Sequence, residues 1–206
     1  MTASAPPSAS PKASSTELRG GAHQRRRLAR EDWFSAAQDM LLYEGVEALR
    51  IDRLCQALEV TKGSFYWHFK SRADFIEGFL DDWRARATLN IIQSLSTQNL
   101  SARTRLAQLF SLHGHPNAPM AARVEQSIRS WARQDGIARE ALREVDRIRH
   151  DFLSDIFREL GWPEDSAQTR AHLSYTIMLG GSILGISEVE LDREAMINEA
   201  LRLLER

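Results

Sequence analysis

The stretch that decides the fold is residues 51–72, which read IDRLCQALEVTKGSFYWHFKSR. Apolar residues at helical spacing predict a short helix from Ile51 to Leu58 and another from Lys62 to Phe69, with Thr61 as a good N-cap. Each is too short to be stable alone, so both need a further helix against which to bury their apolar faces. Two such helices joined by a short turn are typical of a helix-turn-helix unit, whose second helix enters the major groove of DNA.

The second helix of this pair has two chemically different faces. Phe65 and Phe69 lie one helical turn apart and are expected to point inward. The other face combines small hydroxyl side chains, one cation and amphipathic aromatic rings, which suit phosphates and the edges of bases. Its residues are Thr61, Lys62, Ser64, Tyr66, Trp67 and His68.

The residues before this stretch predict the helix that supports it. A first helix is expected from Arg30 to Tyr43, and Gly45 can adopt the positive φ that ends it. Its inward stripe is Trp33, Ala37, Met40 and Leu41.

The residues after the stretch predict a long helix. Ser71 with Asp74 three positions later resembles a capping box, and the pattern continues to Leu95. If continuous, this helix spans roughly 36 Å and can join two layers of the protein. The residues expected to face one way are Phe75, Phe79, Trp83, Ala87 and Ile91.

The rest of the chain is also predicted to be helical, because no sustained alternation of period two appears. We therefore expect an all-α fold: a three-helix DNA-binding head at residues 23–70 and a larger helical body at residues 71–206. Residues 1–22 are rich in Ala, Ser, Pro and Gly and are expected to be disordered. The later helices are predicted at 101–113, 120–134, 137–160, 163–186 and from 192 to the C-terminus.

Composition excludes several classes of protein. The chain has 206 residues, 27 Lys and Arg against 28 Asp and Glu, and one cysteine, which rules out an internal disulfide and a zinc finger. No apolar stretch reaches the ~20 residues of a membrane span, and no signal segment is visible, so we expect a soluble cytoplasmic protein. Residues 19–72 carry ten basic and seven acidic side chains, and this excess favours a polyanionic partner.

The sequence resembles the tetracycline-repressor (TetR) family of bacterial transcriptional regulators. The resemblance is carried by VTKGSFYWHFKSR at residues 60–72, together with Tyr43-Glu44-Gly45 and Leu54-Cys55. It covers about residues 30–80. It implies a homodimer whose heads bind double-stranded DNA and whose bodies bind a small-molecule effector, without a cofactor.

The resemblance also implies roles for individual residues. Lys62 and Ser64 match positions that read bases, and Arg72 matches a phosphate anchor where the family usually has Lys. Arg50, at the start of the second helix, matches a contact to the DNA backbone, whereas the neighbouring Asp52 would repel phosphate and could cap that helix. The positions that match contacts to the DNA backbone on the recognition helix are Tyr66, Trp67 and His68, with some base contact expected from the Tyr.

One position departs from the family pattern. Glu59 stands in the turn between the two short helices, where the family commonly has Gly. A non-glycine residue in a left-handed conformation costs about 1–2 kcal/mol, which a well-packed head can absorb.

The body offers candidates for an effector pocket and a dimer interface, and each of these side chains also fits an ordinary helical core. Arg129 or His172 could supply a polar contact to an effector. The apolar pocket candidates are Phe110, Trp131, Phe152, Tyr175 and Met178. The interface candidates, which include small residues that permit close helix approach, are Gly180, Gly181, Gly185, Met196 and Ala200.

Two other functions compete with a ligand-responsive repressor. The head could bind a protein, which would make the chain a helical adaptor. An enzyme is not expected, because the sequence has no nucleophile elbow, phosphate-binding Gly loop, metalloprotease motif or evident pair of catalytic carboxylates. His113 and His115 resemble a metal-binding pair, but no acid lies near them in the sequence, so we predict no metal site.

Overall fold

The computed structural model describes residues 28–112, 115–184 and 193–204. These residues form helices and contain no strand, which confirms the predicted all-α class. The predictions for residues 1–22 and for His113, Gly185 and Asp192 lie outside the described residues. Within them, no helix is both long and apolar enough to cross a lipid bilayer.

The helices of the head and of the segment that follows it begin and end close to the predicted positions. A 3₁₀ turn at Val46–Ala48, which the sequence analysis missed, follows the first helix, and Gly45 before it has the expected positive φ of 84°. The helices are α1 Arg30–Tyr43, α2 Ile51–Ala57, α3 Lys62–His68, α4 Arg72–Arg84 and α5 Asn90–Thr97.

The body continues with longer helices that differ from the predicted bounds by a few residues. Asp135 accepts a hydrogen bond from the Ala138 amide and so caps α8. Pro163 precedes the next helix and accepts from the Ala167 amide. The remaining helices are α6 Ala102–Ser111, α7 Ala118–Trp131, α8 Gly136–Glu159, α9 Glu164–Leu184 and α10 Arg193–Leu204.

The predicted long helix from Ser71 to Leu95 is continuous but not regular. A π turn at Ala85–Leu89 joins α4 to α5, and the Asn90 amide bonds to the Ala85 carbonyl five residues earlier. We call residues 72–97 the linker helix. The extra residue in a π turn shifts the helical phase. Thr88 is therefore fully buried, and the predicted inward residue Ala87 is only partly so.

A first apolar cluster holds the head together and extends into the body. It joins the inner faces of α1, α2 and α3 to α4, α7 and the first half of α8. Because α4 packs on the head helices, this cluster continues beyond residue 70. The division into domains at that residue stays a prediction.

A second apolar cluster lies in the remaining part of the body. It joins α5, α6, α9 and α10 to the second half of α8. The linker helix and α8 each contribute to both clusters, with Ala87 and Val145 in the first and Ile91 and Leu153 in the second. The structure thus has two cores, through both of which these helices run.

Candidate DNA-binding surface

The turn between α2 and α3 sets the angle at which the second helix leaves the head. Glu59 adopts φ 54°, so the left-handed conformation considered for this position is present. The Val60 amide bonds to the Cys55 carbonyl at 2.9 Å, and the Glu59 amide bonds to the Gln56 carbonyl at 3.2 Å. This is the Schellman arrangement that usually places Gly at the left-handed position.

The inner face of α3 is fixed by aromatic packing. Phe65 is completely buried, with its ring centroid 5.4 Å from that of Trp33 and 5.6 Å from that of Phe75. Phe69 is also buried and lies 5.0 Å from Phe75. Both predicted inward positions are confirmed, and α3 is locked between α1 and α4.

The outer face of α3 remains exposed to solvent. Lys62 and Thr61 are exposed, and Tyr66 and Trp67 keep 55% and 63% of their surface accessible. The centroids of the Tyr66 and Phe65 rings lie 5.4 Å apart in an edge-to-face arrangement. The Tyr66 ring therefore packs on Phe65, while more than half of the Tyr66 surface stays exposed to solvent. Neither aromatic residue serves only as core.

The other predicted residues of α3 are half-buried or placed at its ends. Ser64 and His68 are half-buried, and the His68 ring contacts the edge of Trp67 at 4.6 Å. Thr61 occupies the N-cap position, but its side chain accepts no hydrogen bond from the helix. The predicted capping interaction is therefore absent. Thr61 has the extended backbone of an N-cap residue, but its hydroxyl does not bond to the helix amides.

Two exposed arginines lie at the starts of α2 and α4, the helices next to α3 in the chain. Arg72 donates from Nε to the Leu49 carbonyl at 3.1 Å, which ties the start of α4 to the segment before α2. Its side chain lies on the surface, as a phosphate contact requires. Arg50 is exposed and pairs with Asp52 at 3.3 Å. Asp52 makes this pair in the first turn of α2, and α2 has no side-chain cap from its N-cap residue.

The start of α4 is capped as the sequence predicts. Ser71 accepts from the Asp74 amide at 3.1 Å, and Asp74 accepts from the Lys70 amide at 2.7 Å. These bonds fix the path of the chain directly after α3.

Sequence reasoning missed a contact that holds the C-terminal end of α3. Arg30 donates to the His68 carbonyl at 3.2 Å, and its guanidinium lies 4.5 Å from the centroid of the Phe69 ring. A Cβ at Gly78 would come within 2.7 Å of this guanidinium and 3.1 Å of Phe34. The absence of a side chain at Gly78 therefore makes room for Arg30, a relation between residues 48 positions apart that no local pattern indicates.

The geometry of this surface agrees with a family of known regulators. Residues 34–78 match the family model described as bacterial regulatory proteins, tetR family. Over these residues the chain is similar to the tetR family. No curated protein matches the chain.

Solved structures of transcriptional regulators share the fold along most of their length. A transcriptional regulator from Rhodococcus sp. Rha1 is 19% identical, with a TM-score of 0.68 over 86% of this chain and 94% of that one. FadR from Bacillus subtilis, in complex with stearoyl-CoA, is 16% identical with a TM-score of 0.66, over 85% and 97%. A regulator from Saccharomonospora viridis, in complex with choline, is 16% identical with a TM-score of 0.65, over 86% and 95%.

In the body of the chain, the pocket candidates do not all lie together. Phe110, Phe152, Tyr175 and Met178 belong to or pack against the second cluster, whereas Trp131 lies in the first. Two depressions lie elsewhere in the described residues, one along α1 and one around residues 95–100. The assignment of an effector pocket to these side chains stays a prediction.

A group of charged and polar side chains lies between the two clusters, and the sequence analysis identified only part of it. Arg129, a predicted polar contact, bonds to Asp146 and Glu125. The signal that was missed is the spacing of acidic and basic residues one helical turn apart. Glu125 and Arg129 share one face of α7, and Asp146 and Arg149 share one face of α8. We call the group the polar layer; its members are Thr88, Glu125, Arg129, Asp146, Arg149 and Tyr175.

Burial and charge in the polar layer shift the pKa values of its members. Burial would raise the pKa of Glu125, but Arg149 and Arg129 hold it below its ordinary value. Burial would lower the pKa of Arg149, and Glu125 raises it instead. Burial raises the pKa of Tyr175 to about 12, assisted by its hydrogen bond to Asp146 and opposed by Arg149. Near neutral pH, Glu125 and Arg149 therefore stay ionised and the Tyr175 hydroxyl stays protonated.

The dimer candidates differ in exposure. Gly181 and Met196 are exposed and Gly180 is half-buried, whereas Ala200 packs into the second cluster of its own chain. Leu173 and Ile177, which the sequence analysis did not select, are 48% and 40% exposed and lie one turn apart on α9. Gly180 lies on the same face of α9, one turn after Ile177. This helical spacing is the sequence signal that could have identified Leu173 and Ile177.

The described residues contain no group of three or more His, Cys, Asp or Glu side chains placed to hold a metal ion. His115, one of the two histidines weighed as a metal pair, accepts from the Asn117 amide at 3.3 Å through Nδ1.

Proposed function

We propose that this chain is a transcriptional regulator of the TetR family, a repressor that binds a palindromic DNA site as a homodimer and is released by a small-molecule effector. It would act where bacterial DNA is found, in the cytoplasm. The observation that carries the proposal is the division of α3 into a buried aromatic face and an exposed polar and aromatic one. The roles of the individual DNA contacts belong to the same proposal.

The exposed face of α3 suits the major groove. Lys62 can donate to the N7 and O6 acceptors of guanine, and Ser64 can donate or accept at a base edge. Tyr66 and Trp67 can contact phosphate or sugar at the rim of the groove. Arg50 and Arg72 supply the charge that neutralises phosphates.

The exposed apolar stripe on α9 supports pairing with a second copy of the chain. Leu173 and Ile177 lead to the small residues Gly180 and Gly181, which permit two helices to approach closely. A dimer that reads successive turns of one DNA face must hold its recognition helices about 34–36 Å apart. An effector releases the DNA if it favours a body conformation in which this spacing is lost.

A small-molecule effector is supported by the structural relatives that were solved with choline and with stearoyl-CoA. Those ligands are chemically unlike each other, so they support effector binding in general and not either ligand for this chain.

Selection of bound duplexes from a random pool tests the proposal. The full chain is expected to select a sequence with dyad symmetry, and its affinity is expected to fall steeply as salt is raised, because bound counterions are released from the phosphates. Metabolites are then screened for release of the selected duplex.

Two results would contradict the proposal. Failure to retain any duplex at low salt would favour the adaptor function, in which Tyr66 and Trp67 bind a protein. A selected site without dyad symmetry would contradict binding as a homodimer.

A further inference from the structure

The two apolar clusters meet along a boundary that does not coincide with the end of the head. The linker helix leaves the first cluster at Ala87 and enters the second at Ile91. On α8 the same change occurs between Val145 and Phe152. Both helices therefore change cores at the same level of the molecule, and the polar layer occupies that level.

Arg149 is the centre of the polar layer. Its Nη1 donates to both carboxylate oxygens of Glu125 at 2.8 and 3.0 Å and to the Tyr175 hydroxyl at 3.1 Å. On its other side, Nε donates to Thr88 Oγ1 at 3.0 Å, and Nη2 donates to the Ala87 carbonyl at 3.1 Å. One guanidinium thus connects α7, α8 and α9 to the linker helix.

The two acceptors on the linker helix both lie in the π turn. A π turn replaces i to i−4 bonding with a longer spacing and often occurs at functional sites. Thr88 is 2% exposed and its hydroxyl has Arg149 as a donor. The side chain of Arg149 therefore contacts the linker helix where its backbone departs from regular α geometry.

Such a buried charged group specifies geometry more than it adds stability. The Arg149 and Glu125 side chains are only 17% and 15% exposed. Desolvation offsets much of the attraction within a buried ion pair, whereas several directional hydrogen bonds allow few alternative arrangements. An apolar contact at this level would tolerate sliding of the linker helix; the five hydrogen bonds of Arg149 do not.

We propose that Arg149 is a positioning residue that fixes the π turn of the linker helix and thereby sets the orientation of the first cluster, with the head, relative to the second. The unit that moves on release of DNA then comprises the head together with α4 and α7, and its boundary is the polar layer. The consequence for DNA binding depends on the proposed function, but the consequence for orientation does not.

A double variant separates positioning from stability. Glu125→Met with Arg149→Met removes both members of the buried pair, and such replacements by apolar residues are often neutral or stabilising. Arg129 and Tyr175 remain bonded to Asp146. The matched control is Arg147→Ala, which removes an exposed arginine of the same helix, paired only with Asp151 within the described residues. Thr88→Val, which removes only one acceptor, is a second and milder test.

Spin-label distances report the orientation directly. In a Cys55→Ala background, labels at Glu47 and Gln168 report the distance between the head and α9, and labels at Glu47 and Arg133 report a distance within the first unit. These three sites are exposed. Labelled chains are diluted with unlabelled ones so that distances within one protomer are measured.

The expected change is confined to the distance that crosses the boundary between the two clusters. In the double variant, the Glu47–Gln168 distribution shifts or broadens while the Glu47–Arg133 distribution and the Arg147→Ala control do not change. Thr88→Val gives a smaller change in the same pair. Affinity for a selected duplex falls about tenfold in the double variant, a typical size for coupling between sites.

Other results would overturn the proposal. An unchanged Glu47–Gln168 distribution in both the double variant and Thr88→Val would show that Arg149 does not set the orientation. Changes of equal size in both label pairs would show that the fold is disturbed generally. If no duplex is bound by the parent chain, the proposed function fails, but the distances still decide the role of Arg149.

Discussion

The first apolar cluster and the polar layer hold neighbouring parts of the same chain by opposite means. Around α3, the rings of Trp33, Phe65, Phe69 and Phe75 pack with centroids 5.0–6.1 Å apart. At the end of this cluster, Arg149 and Glu125 are held by charged hydrogen bonds. Apolar packing stabilises the head and presents α3 in one position, whereas the polar layer specifies how that rigid unit joins the rest.

The largest expected effect lies in the aromatic packing. Phe65→Ala is expected to lower the free energy of unfolding by about 3–5 kcal/mol, because it leaves a cavity among buried rings. Tyr66→Ala, one residue along the same helix, is expected to change it by less than about 1 kcal/mol, because its ring is largely exposed. Urea unfolding measures both. Equal losses in the two variants would contradict the two-faced arrangement of α3.

The polar layer is expected to respond to acid where the aromatic packing does not. The pKa of Glu125 is below its ordinary value of 4.5, so the unfolded chain binds this proton first as the pH falls. The stability that ionised Glu125 contributes is therefore present above pH 4.5 and is lost as the pH falls through the lower pKa of the folded state.

Comparison with Glu125→Gln isolates this contribution. The difference in unfolding free energy between the parent and the variant is expected to shrink on acidification, since only the parent has this carboxylate to titrate. A difference that is independent of pH would show that Arg149 and Arg129 do not stabilise the ionised form.

Two helix ends extend the comparison to the backbone. Glu59 and Gly161 occupy the same left-handed position of a Schellman arrangement, one after α2 and one after α8, with φ 54° and 93°. Glu59→Gly is expected to raise the free energy of unfolding by up to about 1 kcal/mol, because the left-handed cost is larger than the entropic cost of Gly.

Gly161→Ala is the opposite change, because it removes a glycine from a left-handed position. It is expected to lower the free energy of unfolding by about 1–2 kcal/mol from backbone strain alone, because no heavy atom lies within 4 Å of the added Cβ. Thermal or urea unfolding of both variants measures the pair. Destabilisation by Glu59→Gly would show that the Glu59 side chain contributes more than its backbone costs.

The smallest expected effect is spectroscopic. Tyr175 has a pKa of about 12, so its proton is retained by the folded chain and lost first by the unfolded one. Stability from the neutral phenol is therefore lost as the pH rises from about 10, the ordinary value, to about 12. Ultraviolet absorbance after a rapid pH jump, as the difference between the parent and Tyr175→Phe, is expected to show this ionisation near pH 12. Ionisation near pH 10 would contradict burial of Tyr175 in the polar layer.

Local patterns predicted the head better than the layer beneath it. Helical spacing found the inward positions Phe65 and Phe69, and the Ser71 and Asp74 pair found the cap of α4, because such signals depend on neighbours within one or two turns. The same spacing placed Ala87 inward, because nothing in the sequence marks the π turn. Arg149 bonds to Glu125 and Thr88 from 24 and 61 positions away, so its role depends on the packing of separate helices.

The central claim is that the exposed face of α3 reads base sequence. The most direct test is the ratio of affinities for a selected duplex and a scrambled one, measured for the parent, Lys62→Ala and Arg50→Ala. Lys62→Ala is expected to lower affinity for the selected duplex by about 1–3 kcal/mol and to reduce the ratio, whereas Arg50→Ala weakens both duplexes equally. A ratio unchanged by Lys62→Ala would contradict base reading by α3.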